Sequence, residues 1–165
     1  MKLSDTFKVT TPGDLEIVMA RDFDAPPDMI FDALTKPELV RRWLLGPEGW
    51  IMPVCEIDLR VGGAWRYGWR NEESGCEFGM HGEYREINRP GRIVHTEFFG
   101  EGESLVTSSI AAKGETTTLT MTMRFASRAE RDAALETGMA DGVAVSYDRL
   151  EETLASTASV KGGIE

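Results

Sequence analysis

Residues 116–125 read Thr-Thr-Thr-Leu-Thr-Met-Thr-Met-Arg-Phe, and no other stretch of the chain constrains the fold so tightly. Leu119, Met121, Met123 and Phe125 alternate with Thr118, Thr120, Thr122 and Arg124. Successive side chains of a strand point to opposite faces, so this segment makes a strand with one apolar and one polar face. Such a strand belongs to an antiparallel sheet covered on one side only. Two further segments repeat the pattern. Trp65, Tyr67 and Trp69 alternate with Arg66, Gly68 and Arg70, and Phe78, Met80, Gly82 and Tyr84 alternate with Gly79, His81, Glu83 and Arg85. The chain must supply something to cover that apolar face.

The C-terminal segment is the candidate. Ser127-Arg128-Ala129-Glu130 reads as a capping box, in which Ser and Glu satisfy each other's orphan backbone donors. A helix is predicted from there to about Leu154. Leu135, Met139, Val143, Tyr147, Leu150 and Leu154 recur in it at steps of three or four. At 1.5 Å per residue it is about 40 Å long, enough to cross a sheet. Gly138 and Gly142 fall within it, where each costs up to about 1 kcal/mol relative to Ala. Close packing against the sheet or a second subunit is the ordinary reason for such residues. Room for a bound molecule between helix and sheet is the sharper one.

Ahead of these elements, Leu15–Phe23 reads as a strand with Ile17, Met19 and Phe23 on one face. Pro26-Pro27 stops it and opens a helix to about Leu34. Thr35-Lys36-Pro37-Glu38 reads as another capping box, starting a helix that buries Leu39, Val40, Trp43 and Leu44 and ends at Gly46-Pro47. Gly62-Gly63 marks a hairpin, and Asn71–Gly75, Asn88–Gly91 and Gly100–Gly102 mark loops and turns. The expected order is one strand, two short helices, six strands and one long helix. Residues 1–12 and 156–165 lack periodicity and are expected as flexible tails around a single domain, 13–155.

Composition narrows the function. The 28 Asp and Glu against 18 Lys and Arg leave a formal charge of −10. Nucleic acids and anionic membranes need a positive surface, so neither is an expected partner. Cys55 and Cys76 occur in no metal or redox spacing, and neither a metal nor a cofactor is expected. The opening MKLSDTFKVTTPGD has no apolar signal core, and no apolar run approaches the roughly 18 residues of a membrane span. A soluble cytoplasmic protein is the expectation.

Several motifs, in order, resemble the activator-of-Hsp90-ATPase-like family. They are Phe23-Asp24-Ala25-Pro26-Pro27, Phe31-Asp32-Ala33-Leu34-Thr35, Trp43 ahead of Gly46-Pro47, and Glu56-Ile57-Asp58-Leu59-Arg60-Val61-Gly62-Gly63. Pro90-Gly91-Arg92-Ile93-Val94, Arg131-Asp132-Ala133-Ala134, Gly138-Met139 and Ser146-Tyr147-Asp148-Arg149-Leu150 follow. The resemblance spans roughly residues 14–155. It implies an α+β helix-grip fold of the START-like, or SRPBCC, superfamily: a curved antiparallel sheet wrapped around a long C-terminal helix, with a cavity between them. Eukaryotic Hsp90 activators carry a separate N-terminal domain for most of the chaperone contact, and the segment ahead of residue 14 is too short to encode it.

The resemblance turns the apolar face into a candidate cavity wall. Trp65, Tyr67, Trp69, Phe78, Met80, Tyr84, Met121 and Met123 would line it from the sheet, and Trp43, Met139, Val143 and Tyr147 from the helices. Aromatic side chains supply large apolar contact with polar handles, and Met repacks around varied shapes. Asp58, Arg60, His95 and Glu97 are the possible polar anchors. Asp58 and Arg60 are two apart and share a face. An inward Arg60 would clamp a carboxylate, and a buried Glu97 would have a raised pKa suited to acid–base work. His81 is expected outward. Residues 93–98 are apolar on both faces, so the pattern does not set the direction of His95. The resulting order of readings is a binder of a small apolar or amphipathic molecule, then a cyclase- or hydrolase-type enzyme using the same cavity, then an Hsp90-type chaperone partner. An inward carboxylate beside an aromatic wall is the feature that favours chemistry over plain binding. The sheet's edge strands and the two helix glycines make a homodimer possible.

Overall fold

The computed structural model describes the backbone of residues 2–164 and the side chains of residues 2–157. A 3-10 turn (Leu3–Thr6) leads into β1 (Lys8–Thr10) and β2 (Glu16–Phe23), followed by α1 (Pro27–Thr35) and α2 (Pro37–Trp43). Six strands come next: β3 (Trp50–Ile57), β4 (Ala64–Asn71), β5 (Glu77–Asn88), β6 (Arg92–Phe99), β7 (Gly102–Lys113) and β8 (Thr116–Phe125). Helices α3 (Arg128–Glu136) and α4 (Met139–Ile164) close the chain. The strands form one sheet in the order β1-β2-β8-β7-β6-β5-β4-β3, and every pairing is antiparallel.

Alternation sets the two faces as expected. Val106 opposes Met123, which opposes Ile17, and Ile110 opposes Leu119. All five are buried on the inner face. Across β4 and β5, Trp65 faces Gly82, Tyr67 faces Met80 and Trp69 faces Phe78. The register slips between Ile51 and Val54 in β3 and between Tyr84 and Glu86 in β5. Such bulges bend and twist a strand, and here they sit where the sheet must curl around the helices. Helix α4 brings Tyr147, Leu150 and Leu154 into the largest core cluster, with Phe23, Phe31, Trp43 and Trp65.

Four expectations need correction. Residues 1–12 are no tail as far as they are described: β1 pairs with Val18, Met19 and Ala20, and the Phe7 ring meets Tyr147 edge-on at 6.0 Å. The Thr35 capping box does not form. Thr35 is buried with its hydroxyl donating back to Phe31 O, and Lys36 is the N-cap, with the fixed φ of Pro37 starting the helix in its place.

The predicted single C-terminal helix is two. Gly138 has φ +79, a left-handed conformation that ends helices and favours glycine. Thr137 completes the break, donating its hydroxyl to Ala134 O and accepting from Met139 N. The Ser127 cap of α3 does form, accepting from Glu130 N. Lastly, α4 continues to Ile164, past Leu154 and through the segment expected to fray. Among the described residues no helix is long and apolar enough to cross a membrane.

Candidate functional site

The middle of the inner face is built from small residues. Gly82 has Trp65 on one side in β4. On its other side it falls opposite Glu97, between the paired rows His81–Phe98 and Tyr84–His95. Glu97 in turn opposes Ser104 of β7. A Cβ at Gly82 would collide with Thr96 O and with Trp65 Nε1. Its absence lets the indole reach over and donate to Thr96 O at 3.1 Å. The indole thus fills the pit at Gly82, and Glu97 stands between it and Ser104.

Residual surface separates the fully packed residues of this face from the partly uncovered ones. Trp43, Trp65, Trp69, Tyr84, Met123 and Tyr147 are buried and serve as packing. The Trp43 and Trp69 indoles donate to Ala33 O and Leu44 O, which ties α2 to its neighbours. In contrast, Tyr67, Met80, His95, Glu97, Met121, Met139 and Val143 are only half-buried. These residues lie on the inner face of the sheet or on α4, and part of each is left uncovered. The end of β5 and β6 beside them is aromatic. Phe78 and Phe99 remain 38% and 48% exposed, with ring centroids 5.8 Å apart and Trp50 against Phe78 at 5.2 Å. Gly142 lies one turn before Ser146, whose hydroxyl accepts from Gly46 N and pins the α2–β3 loop. A Cβ on Gly142 would meet nothing within 4 Å, so close packing is not the reason for this glycine.

Three polar side chains belong to this partly uncovered set. Glu97 makes no hydrogen bond or ion pair among the described residues, and burial alone pushes its pKa up to about 7. His95 stands two residues away on the same face, edge-on to Trp65 at 5.1 Å. Its Nδ1 lies 3.1 Å from Thr96 O. A carbonyl only accepts, so Nδ1 carries the proton and Nε2 of the neutral ring is an acceptor. Burial lowers the His95 pKa and keeps the ring neutral. The Tyr67 hydroxyl is deprotonated only well above the usual tyrosine range, chiefly through burial and then through the charges of its neighbours, Glu97 among them.

The remaining candidates lie elsewhere. Asp58 and Arg60 sit beyond the end of β3 in the β3–β4 turn and pair on the exposed surface at 2.9 Å, so neither anchors anything inside. His81 points outward as expected, stacked on Phe98 at 5.2 Å. A surface concavity of about 510 Å³ on this outer side runs along β4 and β5 past Val54, Arg66, Arg70 and His81. Its floor is the cross-strand pair Gly68–Gly79. Arg21, which the alternation of β2 puts on the inner face, is buried but engaged. It donates to Tyr147 O and approaches Asp148 and Glu151 at 3.8 Å. Sequence reasoning missed Arg21 and the pit at Gly82. The available signal was a charged residue and a glycine at inward positions of otherwise apolar strands.

Solved structures share this architecture. A Rhodobacter sphaeroides protein superposes with a TM-score of 0.85 at 29% identity, covering 91% of this chain and 98% of that one. A Chromobacterium violaceum protein gives 0.74 at 27% identity, covering 84% and 96%. An AHSA1-like protein from Aeromonas hydrophila gives 0.68 at 17% identity, covering 82% and 92%, a likeness of fold. No curated protein matches. The family model described as "Activator of Hsp90 ATPase homolog 1-like protein" matches residues 24–155, the stretch from the end of β2 into α4 that builds the grip. The chain belongs to this family of Activator of Hsp90 ATPase homolog 1-like proteins.

Proposed function

We propose that the protein binds a small amphipathic molecule between the sheet and α4, with its apolar part against Tyr67, Met80 and Val143 and its polar end at Glu97. One observation carries this reading: a carboxyl on the inner face, half-accessible, with no partner of its own. An unpaired buried acid is costly to a fold, so it needs a compensating role. The reading places the protein in the cytoplasm, where Cys55 and Cys76, both free, stay reduced. An Hsp90-type contact belongs to the outer surface and is a separate reading with no residue assigned to it.

Native mass spectrometry of protein from its own host tests the proposal, with Val143→Trp as the filled-lumen control. A stoichiometric passenger in the wild type, absent from a folded Val143→Trp, is the expected result. A passenger that persists in the variant would overturn it. So would a wild type that is bare and takes up no neutral amphiphile such as 1-decanol.

A second reading rests on the same carboxyl. A group titrating near neutrality beside an uncharged His95 is suited to take and return a proton. Conversion of the recovered passenger on incubation, abolished by Glu97→Gln, is the result that reading expects.

A further inference from the structure

Beside the neutral His95 and Tyr67, the one charged group left free on the inner face is an acid, and this bears on the head group it takes. Two side chains on the inner face carry charge, Arg21 and Glu97. The guanidinium of Arg21 is spent on Tyr147 O and on the acidic side chains of α4. The cationic side chains of α4's neighbour α2, Arg41 and Arg42, are exposed on the outside. That leaves the lumen an acid and no free base among the described residues. His95 adds a second acceptor through Nε2, because Nδ1 is committed to Thr96 O. Glu97 and His95 lie two residues apart on one strand face, about 7 Å at the backbone.

Resting on the binding reading above, we infer that the lumen selects an amphiphile with a cationic, hydrogen-bond-donating head, an alkylammonium, over the carboxylate of the same chain length. An ammonium offers three donors and one positive charge. It can donate to Glu97 and to His95 Nε2 while its chain lies along the neighbouring pair Tyr67 and Met80. A carboxylate head would set a second negative charge against Glu97 in a weakly screened space, where like charges repel more strongly than in water. A charge-assisted hydrogen bond is also about twice as strong as a neutral one.

Decylamine, 1-decanol and decanoate separate the possibilities, titrated at pH 8, where Glu97 is ionised, below their micelle concentrations with heat or tryptophan fluorescence as readout. The expected order is amine, alcohol, carboxylate, with the amine at least about tenfold tighter than decanoate. Glu97→Gln should erase that gap by weakening the amine about tenfold, while 1-decanol barely moves. Equal affinities for amine and decanoate, or a preference that survives in Glu97→Gln, would overturn the inference and leave the binding reading standing. A wild type that binds none of the three removes both.

Discussion

Glu97 is a residue whose cost to the fold is measurable by pH. Its folded pKa is raised from 4.5 to about 7 by burial, so between those values the native state holds a proton that the unfolded chain has lost. Stability therefore falls as pH rises from about 4.5 to about 7, by up to about 3 kcal/mol, and stays reduced above. His95, with a lowered pKa, acts in the opposite sense, because the unfolded chain gains a proton first as pH falls. Glu97→Gln removes only the Glu97 contribution. The variant should melt higher than wild type at pH 8 and close to it at pH 4.5; a gap independent of pH would show that the carboxyl is not desolvated. The sequence leaves this residue open because residues 93–98 are apolar on both faces. Its direction comes from the register with β5 and β7, a long-range property that no local pattern encodes.

At the level of the helices, the failure to see the break at Gly138 has a specific reason. The apolar steps from Leu135 through Met139 to Val143 keep helical spacing across Gly138, so α3 and α4 look continuous although Gly138 breaks them. The two glycines should then respond in opposite ways to the same substitution. Gly142→Ala adds a Cβ into open space on a helix and should stabilise by about 0.5–1 kcal/mol. Gly138→Ala forces an L side chain into a left-handed conformation and should destabilise by about 1–2 kcal/mol. Urea midpoints of the two variants test this, and shifts of the same sign would mean that the helix runs straight through. The strands were more legible, because a period of two persists over eight to twelve residues in β4, β5 and β8. Strand β1 was not, since three residues are too few to show a period and its pairing depends on the exposed edge of β2.

At the scale of the whole molecule, one apolar face and one long apolar C-terminal segment were enough to anticipate a sheet gripping a helix. The space between them was not derivable by the same logic. Whether an inward residue is core or lumen depends on whether the opposite layer reaches it. Trp65 and Tyr67 belong to the same inward set, yet one is buried and the other keeps surface. The grip also exposes only two sheet edges. β1 is three residues long, and β3 carries Pro53 beside its register shift, features that discourage edge-to-edge pairing. The proposed ligand uptake belongs to the interior, and the methionines would report on it individually. Carbon-13 methyl spectra of methionine-labelled protein, recorded with and without saturating decylamine, address the central claim most directly. Met80 should shift, while Met29 in α1 and Met52 in the core beneath Trp69 hold their positions. A bound amine that leaves the Met80 methyl unmoved would place the ligand away from Glu97 and contradict the account.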